Sequence, residues 1–182
     1  MVARRSAPDP LGDPSAPMAR LAPEMPTDGL PRRYFSLEGE SLHDIALAIP
    51  PVEGHFVLLL ACDGSTLSDE ELREFSTALL DKGIAYLVCW GPDCGRVHDL
   101  FDLAEVERDI ESGDGPTVMT SWHDDESLDE AFYFFLFTAW PDEAFGSTCN
   151  TAIAASVGNA SWSNRVRERF SDVEGLKTAV GL

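Results

Sequence analysis

The sequence predicts an α/β protein: a three-layer α/β/α sandwich around a four-stranded, mostly parallel sheet, Rossmann-like or flavodoxin-like. Three observations carry this. Four apolar runs of strand length alternate with four helical stretches, in the order β-α-β-α-β-α-β-α. The apolar runs lack polar alternation, as strands do when helices cover both faces. Ser-x-x-Glu boxes, glycines and prolines punctuate the helix ends. Right-handed crossovers make the strands parallel, and 2-1-3-4 is the expected order of the four.

Residues 1–33 hold seven of the twelve prolines. Such spacing forbids a helix interior or a central strand, so this segment reads as a flexible arm before one α/β domain, 34–182. "SLHDIALAIPP" is a short helix stopped by Pro50 and Pro51. "FVLLLAC" (56–62) is the first predicted strand. The helix after it places Leu72, Phe75, Leu79 and Leu80 on one face, boxed by Ser68 and Glu71 and closed by Gly83.

"IAYLVCW" (84–90) is the second strand, followed by a helix ending at Gly113. "TVMTSW" (117–122) is the third, and Ser127 with Glu130 boxes the helix that Pro141 stops. "TAIAASVG" (151–158) is the fourth, with a last helix over 161–172. The third helix, 127–140, carries Phe132, Tyr133, Phe134, Phe135, Phe137 and Trp140, more aromatics than one stripe can hold. It is either a central helix covered on two sides or the face of a homodimer.

The net charge is −19 and the pI about 4.3. Residues 1–33 carry +1, five arginines against four carboxylates, so the rest carries −20. This field repels phosphate backbones and anionic lipid, which argues against nucleic acid and membrane surfaces and suits a basic protein partner. No apolar run is long enough to span a bilayer, and no apolar stretch follows the first arginines as in a secretory signal. Four cysteines without a disulfide-framework spacing read as free thiols in a reducing cytoplasm.

Ligands of open parallel sheets bind outside the carboxyl ends of the strands. Here those ends deliver Cys62, Asp63, Gly64 and Ser65; Trp90, Asp93 and Cys94; Trp122, His123 and Asp124; and Gly158, Asn159 and Trp162. One chemical reading makes Cys94 a nucleophile whose pKa a helix start lowers, with His123 as base and Asp63 or Asp124 orienting it. A second makes Cys62, Cys94 and His123 metal ligands, although no C-x-x-C pair supports it. In the structural reading the cysteines fill the core, the Asp residues cap helices, His123 sits in a turn, and Asp125-Glu126-Ser127 is helix-start punctuation. Trp90, Trp122, Asn159 and Trp162 would form a binding rim. Neither G-x-G-x-x-G nor G-x-x-x-x-G-K-[ST] occurs, so no nucleotide cofactor is expected. "RVRERF" is the one basic cluster outside the arm, an anion site or a set of pairs with the acidic surface.

"LLLACDGSTL" resembles the first motif of haloacid-dehalogenase-type phosphatases, but Ala61 stands at the nucleophile position and Ser65 interrupts it, so that activity is not implied. "DGSTLS" resembles the metal site of von Willebrand factor A domains, with Leu67 where a third ligand belongs. "CWGPDCGRVHDLFD" and "VMTSWHDDESLDEAFYFFL" resemble a family of small bacterial proteins of unknown function, over residues 56–170; that resemblance implies a recurrent domain and no activity. The leading expectation is a non-enzymatic accessory protein that binds a protein partner. The alternative is a small hydrolase or acyl transferase built on Asp63, Cys94, His123 and Asp124.

Overall fold

A computed structural model describes residues 20–21, 32–113 and 115–182. The elements run β1 (Arg20–Leu21), β2 (Arg33–Gly39), α1 (Leu42–Ala48), β3 (His55–Ala61), α2 (Asp69–Asp81), β4 (Ile84–Trp90), α3 (Cys94–Ser112), β5 (Met119–His123), α4 (Leu128–Phe137), β6 (Cys149–Val157), α5 (Ala160–Ser171) and α6 (Val173–Ala179). All eight expected elements of the alternating pattern form. Helices α1, α2 and α3 pack together on one face of the sheet, and α4, α5 and α6 on the other, which makes the α/β/α layering.

Among the described residues the sheet has six strands, not four, in the order β1-β2-β6-β3-β4-β5. The expected order also fails: the four anticipated strands lie 4-1-2-3. Helices α2 and α3 each carry the chain one strand outward, and α4 then crosses back over the opposite face to set β6 between β3 and β2. Strand β2 was not anticipated because "RYFSLEG" buries only Tyr34 and Leu37 fully. Its strand character comes from parallel pairing with β6, Tyr34 opposite Ala152 and Leu37 opposite Ala155. Most of the expected arm, 1–19 and 22–31, lies outside the described residues. Arg20–Leu21, inside that arm, pairs antiparallel with Phe35 and Ser36.

The core lies in the sheet centre. Every residue from Phe56 to Ala61 on β3 and from Ala152 to Ala155 on β6 is fully buried, which is why neither run alternates. Ser68 accepts from the Glu71 amide while Glu71 bonds back to Ser68, and Ser127 and Glu130 repeat the arrangement. Both expected capping boxes are therefore formed.

Helix α4 ends at Phe137, earlier than the expected 140, because Pro141 disfavours helical backbone at the residue before it. Most of its aromatics pack within the chain, while Trp140, beyond its end, stays exposed. Phe132 and Phe135 are fully buried, Phe132 stands edge-on to Phe170 at 4.9 Å, and Phe134 faces Tyr86 and His123. The central-helix reading describes this packing. The carboxylate of Asp129, in the first turn of α4, takes two hydrogen bonds from Arg165 (2.9 and 2.6 Å) and two from Arg169 (2.9 and 2.8 Å). Arg167 reaches Glu38 on β2. The basic cluster of "RVRERF" thus pairs inside the molecule.

Candidate functional site

Loops leave the carboxyl ends of β3 and β6 toward opposite faces, and so do those of β4 and β5, which are the places where a doubly wound sheet opens a crevice. In this chain the loops at these ends pack closely on one another. At the end of β3, Gly91 comes so close that a Cβ there would stand 2.2 Å from the Cys62 carbonyl oxygen, at a φ of +117° that only glycine adopts readily. The Gly64 amide donates to the Pro92 carbonyl at 2.8 Å. Arg96 clamps the same loops, donating to the carbonyls of Gly64 (2.7 Å) and Leu67 (2.8 Å) and to Asp69. Trp90 meets Trp162 edge-to-face at 5.3 Å, and the Trp90 indole N–H donates to the Glu126 carbonyl at 2.9 Å.

Of the four expected catalytic residues, Cys94 lies against the His123 backbone and near Asp124, while both aspartates bond to their own turns. Asp63 accepts from the amide and hydroxyl of Ser65 (3.1 and 2.5 Å) and caps its own turn. Asp124 accepts from the Asp125 amide. Cys94 does stand first in α3, but it is fully buried. Burial pushes its thiol pKa up, against a hydrogen bond from the His123 backbone that lowers it. Desolvation of the thiolate thus works against the lowering expected from the helix start. Burial also pushes Cys62 up to about 12 and Cys89 well above its ordinary value. Among the described residues no three His, Cys, Asp or Glu side chains converge as a metal set.

Four buried free thiols give a direct expectation. At pH 8 a disulfide reagent should find almost no reactive thiol in the native protein and four after denaturation. Rapid modification of Cys94 in the native state would restore the thiol chemistry.

His123 is the residue the structure recasts. It is buried at the end of β5, not in a turn. Its Nδ1 faces Glu126 Oε2 at 2.8 Å, and its Nε2 faces Ser121 Oγ at 3.2 Å. With the proton on Nδ1, the ring donates to Glu126 and accepts from the Ser121 hydroxyl. Tyr86, on the neighbouring strand, also bonds Ser121, and burial raises its phenol pKa against that bond. Sequence reasoning missed Ser121 and Glu126. The i, i+2 spacing of Ser121 and His123 on a strand was the available signal for the first, whereas Glu126 reaches back only because the β5–α4 turn folds it there.

The expected binding rim divides. Trp90 and Trp162 pair with each other, and Asn159 caps α5 by accepting from the Ser161 and Trp162 amides. Trp122 points to the other layer, edge-on to His98 at 4.6 Å, and stays 52% exposed.

A second surface appears beside it. Helix α3 packs on the sheet through Val97, Phe101 and Ala104. Leu103, Val106 and Ile110 recur at helical spacing on the opposite side, and all are exposed, Ile110 by 80%. The helix is thus apolar on two sides, one covered by the sheet and one exposed. Met119 and Trp122 are exposed as well, on opposite faces of β5.

Taken together, these features define a small doubly wound α/β domain with exposed apolar residues along α3 and on an edge strand, among others. The chain belongs to the family whose model is described as "Domain of unknown function (DUF7684)", matched over residues 33–172, from the first residue of β2 to just past α5. Neither a curated protein nor a solved structure matches it. No helix among the described residues is long and apolar enough to cross a membrane.

Proposed function

We propose that this protein is a non-enzymatic binding or accessory protein that holds a basic protein partner along α3 and β5. One observation carries the reading: the second apolar stripe of α3, Leu103, Val106 and Ile110, exposed opposite the stripe that packs on the sheet. Isolated exposed apolar residues need no explanation, but three aligned on one helix face do. The charge of −19 selects a basic partner and disfavours nucleic acid and membrane. A reducing bacterial cytoplasm suits four buried thiols kept free. A homodimer through α4 is not part of this proposal, since Phe132 and Phe135 are spent in the core.

Photo-crosslinking tests it. Benzoylphenylalanine at Val106, in the cell that makes the protein, should capture one basic protein in a salt-sensitive manner. The same probe at Glu74 on α2 should not. Crosslinks only to a second copy, or none, would sink the proposal.

A second reading, a small hydrolase or acyl transferase, is supported by the connectivity of Ser121, His123 and Glu126, which is that of nucleophile, base and orienting acid. Ser121 takes the place that Cys94 was expected to hold. Under this reading a fluorophosphonate should label Ser121, and His123→Ala should abolish the labelling while leaving partner capture nearly intact. An unlabelled Ser121 ends it.

A further inference from the structure

The two edges of the sheet differ. At one, β2 is partly covered by the chain's own two-residue strand β1. At the other, β5 pairs on one side, with β4, and no described residue pairs along its outer side. Alternate residues of such an edge turn N–H and C=O groups outward, an open template for another strand. Natural edges are blunted by lysine, proline or a bulge, and Met119-Thr120-Ser121-Trp122-His123 has none of these.

The walls beside this edge are unlike each other. On the α3 side, Asp102 accepts from the Thr120 hydroxyl at 2.9 Å and Glu105 from the Val118 amide at 2.6 Å, so both carboxylates stand directly over β5. Asp99, next to them, is 81% exposed. The arginines of this layer pair at the seam with α2: Arg73 with Glu107, Arg96 with Asp69 and Arg108 with Asp81. The α3 wall of the β5 edge therefore carries three carboxylates, with His98 between Asp99 and Asp102 and the exposed Trp122 ring beside it. On the α4 side the edge is flanked by exposed Met119 and half-buried Phe134, with the His123–Glu126 pair at its carboxyl end.

We infer that β5 binds the partner by strand addition, taking an extended segment whose side chains alternate basic and apolar. Basic residues would meet Asp99, Asp102 and Glu105, and apolar ones Met119 and Phe134, because successive side chains of a strand point to opposite faces. Backbone hydrogen bonds supply affinity and the two walls supply register and choice, as in other strand-addition complexes. The inference rests on the partner-binding reading and specifies its mode: α3 offers the stripe, β5 the backbone.

The test uses the full chain, immobilised, and a phage-displayed library of random dodecapeptides. Selected peptides should alternate Lys or Arg with Val, Ile or Leu and should lack proline within the alternating run. A selected peptide resynthesised with N-methyl groups on every second residue should lose about tenfold or more in affinity in the register whose N–H groups face β5, and little in the other, since each methyl removes one backbone bond. Amide hydrogen exchange should slow at 119–122 on binding. Peptides that tolerate N-methylation in both registers, or that protect α3 alone, overturn strand addition and leave the partner-binding reading intact. A library that yields no binder overturns strand addition as well, and crosslinking at Val106 then decides separately whether the partner-binding reading stands.

Discussion

Asp129→Ala should lower stability by about 3–5 kcal/mol, because it strands the guanidinium groups of Arg165 and Arg169 without their carboxylate. In a chain of this size that is a fall in Tm of roughly 6–20 °C. The size of the effect follows from burial: the side chains of Asp129 and Arg169 are only 11% and 7% exposed. Arg165, at 39%, keeps water and loses less. Adding Arg169→Met should recover part of the loss, since an apolar side chain of similar length leaves no buried charge. Thermal or urea unfolding of the three proteins decides it. A loss below about 1 kcal/mol would put the pair in the class of surface bridges.

The same group fixes an acid limb. Burial acts to raise the Asp129 pKa, but hydrogen bonds and charge from Arg169 and Arg165 prevail and hold it below its ordinary 3.8. A carboxylate whose folded pKa is depressed contributes stability above its unfolded pKa and loses it as pH falls through the folded value. Hydrogen bonds to Ser68 and Ser127 lower Glu71 and Glu130 in the same direction. Stability should therefore decline below about pH 4, and less steeply in Asp129→Ala than in the wild type.

Phe132→Ala should cost about 3–5 kcal/mol, through lost transfer energy and the cavity left behind. The ring has no exposed surface and packs edge-on to Phe170 at 4.9 Å and tilted against Phe135 at 5.7 Å. The outcome also separates the two readings of the aromatic helix. A core residue destabilises the monomer by an amount independent of protein concentration. A homodimer contact would make Tm depend on concentration. Unfolding at two concentrations a hundredfold apart distinguishes them, and a concentration-dependent Tm would contradict the packing described above.

Much of the architecture was written in local pattern. The unbroken apolar runs at 56–62 and 151–158 announced strands covered on both faces, and the Ser68–Glu71 and Ser127–Glu130 boxes marked the starts of α2 and α4, because a capping bond involves only residues three apart. Membership in the family had its signal too, in the stretches around Cys94 and His123. Strand β2 was illegible. "RYFSLEG" has no period of its own, and only a distant partner, β6, makes it a strand. The order of strands was equally hidden, since α4 could carry the chain to either side of β3 without any change in local pattern.

The site shows the same division. The sequence by itself determined which residues reach the carboxyl end of the sheet, because strand and helix boundaries follow from periodicity and caps. Only the tertiary structure decided what those residues do there. Whether Cys94 ionises depends on desolvation by β3, β4 and α3 together, and the structure answers with a raised pKa. Whether His123 meets a thiol, a hydroxyl or a carboxylate depends on the path of the turn after it, which brings Glu126 to one nitrogen while the strand pleat brings Ser121 to the other. The exposed stripe of α3 is the plainest case. Leu103, Val106 and Ile110 carry the same helical spacing as core residues, and nothing in the sequence distinguishes the apolar side that the sheet covers from the side left exposed.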